Sequence, residues 1–342
     1  MESILFLGHT ESDGTLPKAA LEALTAAGEL ATALKAQLTI ALIGGDVHPA
    51  ANAIPGRILA VSGAEFAQPR YGSDAAAAEA LCRAAKASIV IAPATSRFAR
   101  VLPGVAHRLN GRVDTHITGV TVTDGAPVAT RWFYRQRIEG SLQRAERPWI
   151  LLLESGCRPA WQGAPGTVNV ETIAVALPQL RTRVTGIRAP KSDEQTIRPD
   201  AKLLFVAGAG WCKKQADGRV HAGEAEQIIL DFLRASKASL GGSKSLVEQS
   251  GENQPTLRFM THLNQVGQTG ATPRHPKGLS TCCHGEEPHV VGWRFITERR
   301  AVNLDPNCGW AHGKADVLYV ADAFAVMKKV NALLAAKRAA GV

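Results

Sequence analysis

The stretch of this chain with the most potential chemistry is Gln265-Val266-Gly267-Gln268-Thr269-Gly270. Its two glycines allow the backbone to come close to a flat or phosphorylated ligand, because they carry no Cβ atom. The amides of Gln265 and Gln268 and the hydroxyl of Thr269 can each donate and accept hydrogen bonds. A glycine-rich turn that presents polar side chains is typical of a nucleotide cleft at the carboxyl edge of an open α/β sheet.

Two further polar segments follow, at residues 282–289 and 303–306. These segments and the residues just after them contain a cluster of cysteines and histidines, which suggests a metal-dependent protein as an alternative. The cluster consists of Cys282, Cys283, His284, His289, Cys308 and His312. The spacing matches no standard four-ligand zinc or iron–sulfur framework, because adjacent cysteines rarely chelate one ion and no Cys-x-x-Cys occurs. We therefore predict no bound metal, with thiols packed beside the ligand as the simpler interpretation.

Composition limits the class of protein. The chain has 342 residues, of which 45% are hydrophobic and 20% charged, so we expect a globular protein with two domains. The net charge of +9 comes from scattered basic residues without a Lys/Arg run, which argues against nucleic acid as a partner. No apolar run approaches the roughly 20 residues that span a bilayer, so we expect no direct membrane insertion. Met1-Glu2-Ser3 leads straight into an apolar strand and does not resemble a signal peptide, which favours a cytoplasmic location.

The first part of the chain predicts an α/β domain. Apolar runs and alanine-rich stretches alternate in the order β-α-β-β-α-β, at residues 4–7, 16–34, 38–43, 58–61, 73–87 and 88–92. Ser73 or Asp74 is the predicted cap of the second helix. This order predicts a mostly parallel, doubly wound sheet with helices on both faces, extended by strands at 119–123, 128–134 and 149–153.

The second part predicts another α/β domain. The sequence becomes polar between Arg188 and Asp200, which places the N-terminal domain at 1–188, a linker at 189–200 and the C-terminal domain at 201–342. Predicted strands of this domain lie at 203–207, 238–242, 279–283, 300–303 and 317–320, and predicted helices lie at 223–235 and 323–339. The expected architecture is a parallel sheet covered by helices.

Several ordered motifs together resemble one family, the alpha subunit of electron-transfer flavoprotein, over nearly the whole chain. The motifs are Ala92-Pro93-Ala94-Thr95, Leu102-Pro103, Ile117-Thr118, Gly208–Gly210, Gln265–Gly270, Gly285, His289, Asn303–Pro306 and Ala315-Asp316. The resemblance implies that the C-terminal domain binds FAD. It also implies an alpha–beta heterodimer in which the beta subunit completes the site and holds an AMP. Such a heterodimer is an electron carrier rather than an enzyme. It takes electrons from flavin-dependent dehydrogenases and passes them to a membrane quinone reductase. Electron bifurcation, which some relatives perform, is left open.

The resemblance also implies which residues contact the cofactor. These are Gly208, Gly210, Ser243, Lys244, Gln265, Val266, Gly267, Gln268, Thr269, Gly270, His284, Gly285, His289, Asn303 and Asp305. Thr269 is expected to hydrogen-bond near flavin N5, and Gln265 and Gln268 to line the isoalloxazine and the ribityl chain. His289 is expected near flavin O2, where an imidazolium would stabilise negatively charged reduced flavin.

The other end of the cofactor is assigned in the same way. Asn303 and Asp305 are expected at the adenosine, although an asparagine at a strand end is often simply a turn former. Ser243 is expected at the pyrophosphate. Lys244 stands where the family carries an arginine against the flavin, and it lacks the planar guanidinium. Arg258, in a nearby insertion, is a hypothetical substitute.

Other departures from the family pattern bear on the subtype. Trp211 stands where the glycine turn of the family ends in an arginine, and it either covers part of the cofactor or packs in the core. These changes favour a specialised branch that serves a dehydrogenase of N-methylated amines or other small substrates rather than of acyl-CoA. A nucleotide-binding α/β module without a redox role remains the alternative in which the same fold carries no flavin.

Overall fold

The computed structural model describes residues 2–134, 138–163, 166–186, 197–198, 201–249, 256–266, 275–281, 296–307 and 315–340. The chain divides into two compact units, Met1–Arg188 and Ala189–Val342.

The described part of the first unit contains one nine-stranded sheet. Its strands in chain order are β1 Ser3–His9, β2 Gln37–Gly44, β3 Gly56–Ser62, β4 Ile89–Pro93, β5 Arg112–Thr123, β6 Ala126–Phe133, β7 Ile138–Leu142, β8 Trp149–Leu153 and β9 Val168–Thr172. Across the sheet the order is β7-β6-β5-β8-β4-β1-β2-β3-β9. Only the pairs β5–β6 and β6–β7 are antiparallel, and the remaining pairs of this sheet are parallel.

Helices cover both faces of this sheet. They are α1 Lys18–Leu34, α2 His48–Asn52, α3 Ala64–Ala67, α4 Tyr71–Ala85 and α5 Ser96–Arg108. Ile4 and Phe6 of β1 pack in one apolar cluster with α1, whereas Leu5 and Leu7 pack in another with α4 and α5. Because successive side chains of a strand point to opposite faces, the continuous apolar run of β1 requires a layer of helices on each side. This confirms the predicted doubly wound architecture.

One local prediction was wrong. Neither Ser73 nor Asp74 caps α4, which begins at Tyr71 with Arg70 as its N-cap residue. The Asp74 carboxylate instead lies inside the first turn, where it accepts the Arg70 backbone N–H at 3.2 Å. Both residues are fully buried, and Asp74 forms an ion pair with Arg97 of α5 that is described below.

The described part of the second unit contains a five-stranded parallel sheet. Its strands are β10 Leu203–Ala207, β11 Ser239–Gly242, β12 Lys277–Thr281, β13 Glu298–Asn303 and β14 Val317–Val320, in the order β11-β10-β12-β13-β14. The helices are α6 Ala222–Ser236, α7 Lys244–Glu248 and α8 Ala323–Ala339, with 3-10 turns at Ala209–Cys212 and His262–Asn264. Phe205 packs with α6 and α8, while Leu204 and Val206 pack in a separate cluster on the other face. The predicted parallel α/β class of this unit is confirmed.

Within the described residues, no helix has the length and apolarity that a bilayer span requires.

Candidate functional site

The second sheet has a topological switch point between β10 and β12. From β10 the chain passes to β11 on one side, and from β11 it crosses back to β12 on the other side of β10, so the strand order reverses there. In open α/β sheets, ligands bind in the crevice outside the carboxyl ends of the strands at such a point. We call the side of the sheet formed by the carboxyl ends of β10–β14 the carboxyl edge. There the Gly208 N–H donates to the Thr281 carbonyl at 2.9 Å, and the Ser243 N–H donates to the Ala207 carbonyl at 3.0 Å.

The turn after β10 is packed into the core. Gly208 has extended backbone angles and leads into the 3-10 turn in which Gly210 is buried. Trp211 is completely buried, and its ring centroid lies 4.6 Å from that of Phe324. The indole N–H donates to Thr281 Oγ1 at 2.8 Å. Of the two roles considered for Trp211, the structure therefore shows packing.

Ser243 and Lys244 follow β11. Ser243 is 4% exposed and caps α7, because its Oγ accepts the Leu246 N–H at 3.2 Å. Lys244 Nζ lies 3.3 Å from a carboxylate oxygen of Glu248, and both side chains are about half exposed. The structure places Ser243 at the carboxyl edge and the Lys244 ammonium at the surface of α7.

Gln265 and Val266 reach the same edge from a separate segment. Gln265 pairs with Gly242 in a parallel bridge, and the Val266 N–H donates to the Gly242 carbonyl at 3.1 Å. This approach requires glycine at position 241, since a Cβ there would lie 2.8 Å from Val266 Cγ1. Gln265 is 7% exposed, and its backbone bridge to Gly242 holds the residue against the sheet.

Asn303 and Asp305 lie at the end of β13. Asn303 is 1% exposed, and its Oδ1 accepts the Asp305 N–H at 3.1 Å. Asp305 is exposed, and its carboxylate accepts the Asn307 N–H at 2.8 Å. Both side chains thus form turns, as the simpler interpretation of Asn303 expected. A small recess beside them is lined by Gln215, Val302, Asn303, Leu304, Ala321, Asp322 and Ala323.

The structure therefore brings eight of the predicted site residues to one carboxyl edge. They are Gly208, Gly210, Ser243, Lys244, Gln265, Val266, Asn303 and Asp305. The other predicted residues, Gly267, Gln268, Thr269, Gly270, His284, Gly285 and His289, lie outside the described residues, as does the cysteine and histidine cluster of 282–289 and 308–312. Along the edge, hydroxyl and amide groups supply hydrogen-bond donors that suit a phosphorylated or heteroaromatic ligand.

Arg258, considered above as a substitute for the arginine of the family, has a partner that the sequence did not identify. Its guanidinium forms an ion pair with Glu226 of α6, with Nη2 lying 2.7 Å from Oε2. Hydrogen bonds from Arg258 hold the pKa of this carboxyl below its usual value. The two residues are 32 positions apart, so no local sequence pattern predicts the contact.

A second set of polar residues lies at the carboxyl ends of β1 and β4 in the first unit. His9 Nε2 is 3.2 Å from Thr95 Oγ1, and the His9 ring meets Phe98 edge-on with centroids 5.1 Å apart. Burial lowers the pKa of His9 to about 4, and the nearby charge of Arg97 acts in the same direction. The imidazole is therefore neutral at neutral pH. Sequence reasoning missed this arrangement because its partners are 86 residues apart.

Comparisons with known proteins agree with this architecture. A family profile described as "Electron transfer flavoprotein domain" matches residues 4–178. Protein FixB of Clostridium saccharobutylicum is 25% identical over 303 residues, which is 86% of this chain and 85% of that protein. Because the alignment is longer than the first unit, the similarity extends into the unit that carries the candidate edge.

Proposed function

The chain belongs to the electron transfer flavoprotein family, and on that premise we propose that it is the FAD-carrying alpha subunit of an electron-transferring heterodimer. The observation that supports this most strongly is the carboxyl edge of the second sheet. Four separate chain segments bring eight of the predicted cofactor residues to that one edge, and three of these segments lie at the switch point where a nucleotide binds in such sheets. The proposed FAD-binding domain is 201–342, preceded by a linker at 189–200 and an N-terminal domain at 1–188.

The residues at the edge fit such a cofactor. Ser243 and Gln265 are more than nine-tenths buried and carry hydroxyl and amide groups, which suit phosphate oxygens and a flavin ring edge respectively. We propose that Ser243 holds the pyrophosphate region, Gln265 the flavin side, and Asn303 with Asp305 the adenosine. When bound, FAD supplies reversible one- and two-electron transfer. The role of these side chains is to bind and orient it, and to keep water away from its buried side.

The partners belong to the same proposal. A beta subunit with its own AMP would complete the site. Flavin-dependent dehydrogenases would donate the electrons, and a membrane quinone reductase would accept them. The surface position of Lys244, in place of an arginine stacked on the flavin, supports a specialised branch with its own donor.

Electron transfer from a donor tests this function. The heterodimer is mixed without oxygen with a flavin dehydrogenase that its own substrate has reduced, and flavin absorption is followed. We expect the flavin of the heterodimer to bleach and to recover when a quinone acceptor is added. A flavin that no such dehydrogenase reduces would contradict the carrier function. If an acyl-CoA dehydrogenase reduces it as fast as a dehydrogenase of N-methylated amines does, the specialised branch is wrong but the carrier function stands.

The carried-over role of Thr269 has its own test. Thr269→Ala is expected to leave FAD bound and to shift its potential, because one hydrogen bond contributes only about 0.5–1.5 kcal/mol. A two-electron couple moves by roughly 30 mV for each 1.4 kcal/mol, so the shift is at most a few tens of millivolts. An unchanged potential in a spectroelectrochemical titration would mean that the motif is placed wrongly.

A further inference from the structure

The segment 256–266 delivers Gln265 and Val266 to the carboxyl edge, and Arg258 near its start is attached to α6. The Arg258 backbone N–H donates to Glu226 Oε1 at 2.5 Å. The guanidinium Nε donates to Oε1 and Oε2 at 3.2 and 2.9 Å, and Nη2 donates to Oε2 at 2.7 Å. Both oxygens of one carboxylate are therefore engaged by a single residue of the segment, through its side chain and its backbone.

Glu226 is well placed to hold this segment. Its side chain is 8% exposed, whereas that of Arg258 is 87% exposed, so the carboxylate is the buried member of the pair. Glu226 also lies beside Cys212, the last residue of the turn that begins at Gly208. The pKa of the Cys212 thiol is raised to about 11 by burial, with the Glu226 charge adding to the effect and a hydrogen bond from the Leu257 backbone opposing it. One carboxylate thus adjoins both the turn after β10 and the segment that carries Gln265.

The rest of the segment connects Arg258 to the carboxyl edge through packed and hydrogen-bonded residues. Leu257 and Met260 are buried in the core, and Met260 reaches so close to Gly242 that a Cβ there would meet its methyl carbon at 2.5 Å. The Asn264 side chain accepts the Thr261 N–H at 3.1 Å and closes the 3-10 turn that precedes Gln265. Between Arg258 and Gln265, Met260 and Asn264 are buried, and the Asn264 and Gln265 N–H groups donate to the Thr261 and His262 carbonyls at 2.9 and 3.2 Å.

We propose that Arg258 and Glu226 are a positioning pair for the cofactor edge, which sets the place of Gln265 and Val266 through the backbone and does not itself touch the cofactor. The proposal rests on the proposed FAD function. It replaces the hypothesis that Arg258 takes over the role of the missing flavin-contacting arginine. Because the guanidinium is already bound to Glu226, its contribution to the cofactor is indirect.

The test compares single and double variants of the pair in the full heterodimer. Arg258→Met and Glu226→Gln are each expected to raise the Kd for FAD about tenfold, the equivalent of about 1.4 kcal/mol. Each is also expected to shift the flavin potential in the same direction. Because both act through one contact, the double variant is expected to bind FAD about as weakly as either single variant. Arg258→Lys keeps the charge but loses the bidentate geometry of the guanidinium. Its Kd for FAD should therefore lie between that of the wild type and that of Arg258→Met.

A matched control is available in the same unit. Arg299 also engages a carboxylate, that of Asp316, through both its guanidinium at 2.8 Å and its backbone N–H at 2.6 Å. This pair joins the amino ends of β13 and β14, away from the carboxyl edge. Arg299→Met should lower the urea midpoint of the heterodimer and leave the Kd for FAD and the potential unchanged.

The possible outcomes are distinguishable. If Arg258→Met shifts the Kd and the potential while Glu226→Gln leaves both at the wild-type values, Arg258 contacts the flavin directly and the positioning role is wrong. If Arg258→Met changes the Kd and the potential no more than Arg299→Met does, the pair is only structural and the proposal is overturned, although FAD binding by the wild type stands. If the wild-type heterodimer binds no FAD, the proposed function and this proposal fail together, before any variant is compared.

Discussion

The ion pair between Asp74 and Arg97 gives the sharpest stability prediction for the first unit. Arg97 Nε and Nη2 lie 2.9 and 2.6 Å from the two Asp74 oxygens, and Nη2 also donates to the Phe66 carbonyl at 2.6 Å. The two side chains are 8% and 1% exposed. Asp74→Asn removes the charge but keeps the shape, so it leaves a buried guanidinium without its counter-ion. Breaking a buried pair in this way costs about 3–5 kcal/mol.

The size of the effect can be checked by calorimetry. A unit of this length loses roughly 2–4 °C in Tm for each kcal/mol, so Asp74→Asn should lower the Tm of the transition that involves the first unit by roughly 6–20 °C. The control is Glu171→Gln, which breaks an ion pair with Arg57 whose members are 52% and 41% exposed and 3.0 Å apart. An exposed pair contributes about 0–1 kcal/mol. If Asp74→Asn and Glu171→Gln lower the Tm by the same amount, burial does not determine the cost of breaking these ion pairs and the prediction is refuted.

Three further predictions concern stability. The unfolded chain protonates His9 near pH 6.5, whereas the folded chain does so only near pH 4, so the free energy of unfolding should fall by about 3 kcal/mol as the pH drops through that window. His9→Gln should remove that part of the pH dependence. Thr95 caps α5 by accepting the Phe98 N–H at 3.3 Å, so Thr95→Ala should cost about 1 kcal/mol and Thr95→Ser much less. Trp211→Phe leaves Thr281 Oγ1 without its indole donor and opens space in the core, so it should cost about 1–3 kcal/mol.

Urea denaturation checks these three predictions. For His9, midpoints are measured between pH 4 and 7.5, and an unchanged slope in His9→Gln would mean that another group carries the pH dependence. For α5, equal midpoints for Thr95→Ala and Thr95→Ser would show that the hydroxyl does not cap the helix. A Trp211→Phe midpoint at the wild-type value would show that the indole contributes no more than its benzenoid ring.

The regular elements of both sheets could be predicted because their signals are local. The strands at Leu203–Ala207 and Val317–Val320 and the helix at Ala323–Ala339 lie where the apolar runs and the helix-forming residues place them. Strand β7, Ile138–Leu142, was missed. It is short and polar and is held only by its antiparallel pairing with β6 within the described residues. Such a strand carries no periodic signal of its own.

In the candidate edge, too, some features could be predicted from local sequence and others could not. Glycine-rich turns and terminal polar residues mark where strands end, so the carboxyl-edge positions of Gly208, Ser243 and Asn303 were open to sequence reasoning. The pairing of Glu226 with Arg258 was not, because two charged residues 32 positions apart have many possible partners and only the packed fold selects one. The roles proposed for the edge residues rest on family resemblance, since hydroxyl and amide side chains suit many ligands.

The central claim is that this chain carries FAD. The most direct measurement is the visible absorption spectrum of the chain, co-expressed with its beta subunit and thoroughly desalted, followed by identification of the flavin released on denaturation. We expect retained flavin bands and one released FAD for each heterodimer. A folded, colourless heterodimer would contradict it and would leave a nucleotide-binding α/β protein without a redox role.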